Sequence, residues 1–206
     1  SLQINPKNQL QIIHILANAI GIEGMAKGQA LDINNTNKKI SLNELHVMHQ
    51  FKTGALINSA CLMAVLASNN YDKNTLDIID TYSKSIGLMF QIKDDIFDYG
   101  TPDDIGKPTG LDIRERKMTL PLIYVLNTAP ADVKKTLINI VKNHNENPKK
   151  VKEAVDLVIK HGGIEYTHAK MLEYKEKALE LLTDIPASEA KNAILGLVEY
   201  TTNRKK

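Results

Sequence analysis

The sequence predicts an all-α protein, and three observations carry that prediction. Apolar residues recur at three- and four-residue steps through most of the chain, and no convincing alternating strand pattern occurs. Gly, Pro and Asn clusters then divide the periodic segments where helix punctuation should fall. Periodic runs extend from Asn8 to Asp32, from Leu42 to Ser68, from Asp72 to Tyr99, and in several pieces from Leu120 onward. Met171, Leu172, Ala178, Leu179 and Leu182, bracketed by Lys and Glu, show the pattern clearly. Breaks are expected at Asn34–Lys39, Asn69-Asn70, Gly100–Gly110, Asn147-Pro148, Gly162-Gly163 and Pro186. With no internal repeat, residues 1–206 are expected to form a single helical domain.

The composition narrows the class. The 206 residues are 43% hydrophobic and 24% charged, as in ordinary globular proteins. A net charge of +2, with both signs interleaved, gives no reason to expect nucleic-acid binding. The basic tail Arg204-Lys205-Lys206 reads as a solvated end. Cys61 is the only cysteine, so no intrachain disulfide can form and a reducing, cytoplasmic setting is expected. Its apolar surroundings predict a small buried side chain. No eighteen-residue uninterrupted apolar run or secretory signal is visible, so no membrane span is expected. His46 and His49 are spaced for two metal ligands, but no third ligand of matching spacing accompanies them.

Chemistry concentrates in Ile86–Tyr99, IGLMFQIKDDIFDY. Its apolar residues cover most of the helix surface, which predicts burial. Yet Gln91, Asp94, Asp95 and Asp98 stand at i, i+3, i+4 and i+7, on one stripe. Carboxylates one turn apart lie about 5–6 Å from each other. At an effective dielectric near 20 they repel by roughly 3 kcal/mol. Either they share a proton or a cation neutralises them, and oxygen-only ligands suit Mg²⁺. Taken alone, a solvated helix end explains DDIFD equally well.

The next segment, GTPDDIGKPTGLD, holds three glycines and two prolines between Gly100 and Gly110 and predicts a compact turn. It presents Lys107, with Lys117 ten residues on, and lysines beside a carboxylate–magnesium cluster complement a diphosphate. The spacing is wrong for a nucleotide P-loop, and a helix rather than a strand precedes it. Asp103 and Asp104 read as turn residues. In GIEGMAKGQALD, Gly21, Gly24 and Gly28 share a helix face, at about 1 kcal/mol each relative to Ala, which close helix packing would explain. Gln29 and Asp32 add polar groups beside it. Lys52 and Thr53 open the long apolar run that ends near Ser68.

Together, GQALD at 28–32, KTGAL at 52–56, FQIKDDIFD at 90–98, GKPTG at 106–110 and Lys117 in RKMTLP resemble the polyprenyl diphosphate synthase family of trans-prenyltransferases. The resemblance spans Gly21–Leu126, and five ordered matches are far more specific than one DDxxD. It implies antiparallel helices around a central cavity, with two aspartate-rich motifs holding magnesium. Asp94, Asp95 and Asp98 then carry over as metal ligands, direct or through water. Lys52, Thr53, Gln91, Lys107 and Lys117 carry over as contacts to an allylic diphosphate, with the three lysines in catalytic roles. Gln29 and Asp32 carry over as positions near the first metal cluster. The implied reaction joins an allylic diphosphate to isopentenyl diphosphate in isoprenoid biosynthesis, by a homodimer.

The resemblance also implies a first aspartate-rich motif upstream of GQALD, yet residues 1–20 contain no Asp. The expectation is a chain shortened at its N-terminus, with impaired or absent turnover. Product length is expected to be short: residues 21–67 resemble bacterial farnesyl diphosphate synthases, although DDIFDYG and MTLPLIYVL resemble longer-chain members. A terpene cyclase of the same fold stays open, although its second metal motif would carry Asn, Ser and Glu. A non-catalytic or regulatory half-protein stays open too. Residues 130–206 read as amphipathic helices alone.

Overall fold

The computed structural model describes residues 3–100 and 109–205. All regular structure among them is helical. Helix α1 (Pro6–Ile20) begins on an Asn5 cap that accepts from the Asn8 N–H, with Pro6 preset for the first turn. The periodicity across Asn8–Asp32 does not form one helix. Gly21–Gly24 turn the chain, and α2 (Met25–Asn35) starts afresh. A Cβ at Gly24 would come within 2.1 Å of the Ala19 carbonyl oxygen, so only glycine permits that turn.

Ser41 and Glu44 form a reciprocal capping box at α3 (Leu42–His49). This helix passes through a single π-helical turn, Gln50–Gly54, into α4 (Ala55–Ala67). The continuous run Leu42–Ala67 is, by length and composition, long and apolar enough to cross a membrane. Here it packs between α1, α2 and the central helix α5 (Lys73–Phe97). Asp72 caps α5 through the Thr75 N–H.

After the short α6 (Leu111–Arg114) come α7 (Leu120–Thr128), α8 (Ala131–Asn143), α9 (Pro148–Lys160), α10 (Gly163–Leu181) and α11 (Glu189–Asn203). Two apolar clusters hold the helices. In the first, α10 and α11 pack on α5 around Tyr82, Met89, Met171 and Val198, all at most 1% exposed. The Tyr82 hydroxyl donates to the Ile194 carbonyl at 2.7 Å, locking α11 onto α5. The second cluster joins α7, α8 and α9 through Leu122, Leu137, Ile140 and Val158. Met118, just before α7, packs against both clusters. The expected breaks at residues 34–39, 69–70, 147–148, 162–163 and 186 all fall at helix ends or between helices. Cys61 is half-buried rather than buried, and burial raises its thiol pKa.

Candidate functional site

Two glycines fix how the site-bearing helices meet. A Cβ on Gly28 would lie 2.1 Å from the Lys52 backbone nitrogen, and one on Gly87 would lie 2.6 Å from Gly54 Cα. The π-helical turn is therefore clasped between α2 and α5 by glycine on both sides. Gly87, four residues before Gln91 on the same helix face, is thus a helix contact. Close packing is thus what Gly28 is for, whereas Gly21 and Gly24 serve the turn.

This clasp places Lys52 beside α2. Its ammonium Nζ donates to Asp32 Oδ2 at 2.7 Å. Lys117 Nζ lies 3.7 Å from the same oxygen and 2.6 Å from Glu115 Oε2. Asp32 is buried, while each lysine side chain stays about one-third exposed. One buried carboxylate thus gathers two cations, leaving donors on each free for an incoming anion. Burial opposes the Lys117 charge, but its Glu115 bond and the Asp32 and Asp112 carboxylates outweigh that and raise its pKa.

The three aspartates of DDIFD share a stripe but do different work. Asp94 is half-exposed, and its Oδ2 accepts from the Gln91 amide at 3.2 Å. Asp95 is 7% exposed and its Oδ2 accepts the Leu120 N–H at 2.7 Å, tying α5 to the start of α7. Asp98, 8% exposed, accepts from the Leu111 and Asp112 N–H groups and so caps α6. Burial raises the Asp95 and Asp98 pKa values, partly offset by those backbone bonds. His49 Nε2 stands 3.8 Å from Asp95 Oδ1, too far for a hydrogen bond. Burial first, then the Lys52 charge, pushes His49 down to about 3, so its imidazole is neutral.

Two residues at the site escaped the sequence reading. Asp112 is pushed up to about 7, by burial and then by Asp98, with Lys117 and Lys52 pulling the other way. It lies in the GLD at 110–112, where left-handed Gly110 (φ 72°) starts α6, and no local spacing marks it. Arg204, read as part of a solvated tail, is instead buried. It pairs with Asp94, donates to the Phe90 carbonyl at 2.9 Å, and lies 3.9 Å from the Phe90 ring centroid. No signal in a terminal Arg-Lys-Lys distinguishes the one residue that folds back.

Thr53 is half-buried in the π-helical turn, and Gln29 is exposed on α2. Lys107, with Asp103 and Asp104, lies outside the described residues. Among the described residues no three Asp, Glu, His or Cys side chains converge as a metal cage. The donors present are nevertheless oxygen-only, and Asp94, Asp95, Asp98 and Asp112 crowd negative charge into a partly buried space. That chemistry fits a hard dication.

Comparison with known proteins supports the same reading. The family profile described as polyprenyl synthetase matches residues 2–158. The farnesyl diphosphate synthase of Escherichia coli K12 is 38% identical over 128 residues, covering 62% of this chain and 43% of that protein. The short chain isoprenyl diphosphate synthase of Methanocaldococcus jannaschii is 36% identical over 154 residues, covering 74% and 46%. The chain therefore spans less than half the length of these two curated relatives. Among solved structures, geranylgeranyl pyrophosphate synthetase from Pyrococcus horikoshii superposes with a TM-score of 0.87 at 26% identity, over 98% of this chain and 61% of that one. With the profile matching most of its length, and with helices, lysines and aspartates in the expected order, the chain belongs to the polyprenyl synthetase family.

Proposed function

We propose that this chain forms the second half-site of a magnesium-dependent trans-prenyltransferase, which joins an allylic diphosphate to isopentenyl diphosphate and makes a short-chain product. The observation that carries the proposal is the convergence of Lys52 and Lys117 on buried Asp32, on the helix system that also bears Gln91 and Asp94.

In this reading Lys52 and Lys117 bind the allylic diphosphate, with Thr53, Gln91 and Lys107 as further contacts. Asp32 keeps both ammonium groups in place, so their charge meets the negative charge that develops as the diphosphate departs. Gln29, exposed on α2, is a polar position for a facing element. Asp94, Asp95 and Asp98 would hold the magnesium, directly or through water, while the backbone bonds of the last two fix the end of α5. When bound, magnesium supplies Lewis acidity to the leaving group. Diphosphate leaves the allylic carbon, the isopentenyl double bond forms the new carbon–carbon bond there, and the resulting cation loses a proton, so no serine or cysteine nucleophile is needed.

A homodimer is part of the proposal, supported by the apolar face of α1, where Leu10, Ile13 and Ile20 are 69%, 64% and 48% exposed. A cytoplasmic site is also part of the proposal, supported by a lone cysteine that can form no intrachain disulfide. Turnover by these 206 residues alone should be weak or absent.

A thiolo analogue of geranyl diphosphate, which cannot ionise readily, tests the binding claim by calorimetry. The chain should bind it in Mg²⁺, and Lys52→Ala or Lys117→Ala should each weaken binding about tenfold or more. Equal affinity in both variants would refute these roles.

A further inference from the structure

Away from the candidate active site, a cavity of about 240 Å³ opens between the 36–41 loop, the segment before α7, and α8. Its walls are apolar: Met118, Leu126, Ile138 and Val141 line it. Its mouth is not. Lys38, Lys39, Lys134 and Lys142 surround it, and no carboxylate lines it among the described residues. The interleaving of charge seen elsewhere in the chain fails at this place. Lys38, Lys39 and Lys142 are exposed, and none of the three forms an ion pair among the described residues. Lys134 is held at the rim by donating to the Asn127 carbonyl at 2.8 Å.

We propose that this pocket binds a single-chain amphipathic anion, whose hydrocarbon tail lies on the apolar walls while a phosphate or diphosphate head meets the lysine ring. Each half of the pocket excludes a simpler ligand. A neutral hydrocarbon would gain nothing from the lysine ring, and a bare anion would gain nothing from the apolar lining. Exposed Ile138, 43% accessible, offers a methyl-rich lip over which a longer tail can run.

The pocket also touches the segment that carries Lys117. The Asn37 N–H donates to the Arg116 carbonyl at 2.9 Å, so the lysine-bearing loop is stitched to residue 116. Lys117 reaches Asp32, while the next residue, Met118, lines the pocket. The adjacent residues Lys117 and Met118 thus face different sites, so an occupant presses on the back of the segment that presents Lys117. Binding here is thus placed to sense an amphipathic phosphate and to bias the catalytic lysine. The site goes beyond the proposed reaction, and only its bearing on Lys117 rests on that reading.

The test uses decyl phosphate, below its micelle concentration, with the chain carrying ¹³C-methyl methionine. The buffer holds a chelator and no magnesium, and Lys52→Ala weakens the ligand's other cationic target. Decyl phosphate should move the Met118 methyl resonance, identified by its loss in Met118→Leu. Lys39→Glu with Lys142→Glu should weaken binding about tenfold or more, and Ile138→Asn should weaken it several-fold. These positions are exposed, and unchanged circular dichroism confirms the fold. An unmoved Met118 resonance overturns the proposal, as does equal affinity in the charge-reversed variant. So does an equal shift with inorganic phosphate, or a response to anionic phospholipid vesicles alone, which would mean a membrane-facing surface instead of a pocket.

Discussion

Helix α9 and the end of α5 treat charge in opposite ways. In α9, Val151, Ala154, Val155 and Val158 face inward, all at most 8% exposed, while Asp156 and Lys160 stay in water. At Asp95, Asp98 and Asp112 the carboxylates themselves go inside, and burial raises their pKa values. The first region is held by apolar fit and should be indifferent to ligands. In the second, fit is subordinate to positioning charge, and a cation should matter.

The sharpest break falls where glycine clasps the lysine turn. Gly28→Val would drive a side chain into the Lys52 backbone, and should cost roughly 3 kcal/mol or more by chemical denaturation while abolishing diphosphate binding. In the α8–α9 region, Leu137→Ala should cost about 2–4 kcal/mol and leave the affinity of the remaining folded chain unchanged. A large binding defect in Leu137→Ala would erase the distinction between the two regions.

Acid sharpens the comparison further. His49 is depressed in the folded chain to about 3 from an ordinary 6.5, so the unfolded chain binds the extra proton as pH falls below 6.5. Its neutral burial therefore contributes stability above pH 6.5 that is lost as pH falls toward 3, by about 2 kcal/mol at pH 5. His49→Gln should lose correspondingly less stability than the parent between pH 7.5 and pH 5, measured by urea midpoints.

Legibility follows the same divide. Periodicity reports which face is apolar, and it placed α5 from its Asp72 cap to the DDIFD end because burial there obeys the rule. It joined α1 to α2 because Gly21–Gly24 leave the apolar spacing intact while the backbone turns. The π-helical turn is invisible to it, since one wide turn does not alter the residue pattern around KTGAL. The sequence placed Asp94, Asp95 and Asp98 on one stripe, but which backbone N–H groups claim the last two depends on where α6 and α7 begin. Asp112 and Arg204 reach the site only through tertiary folding, so no local spacing announces either.

The most direct measurement compares Mg²⁺-dependent binding of the thiolo-diphosphate analogue to the parent chain, Asp94→Ala and Asp156→Ala. Asp94 faces the candidate site, whereas Asp156 is an exposed carboxylate on α9. Magnesium should strengthen binding in the parent and in Asp156→Ala, and Asp94→Ala should abolish that gain without unfolding the helices. Magnesium-independent binding, or an equal gain in Asp94→Ala, would contradict a metal-assisted diphosphate site at the end of α5.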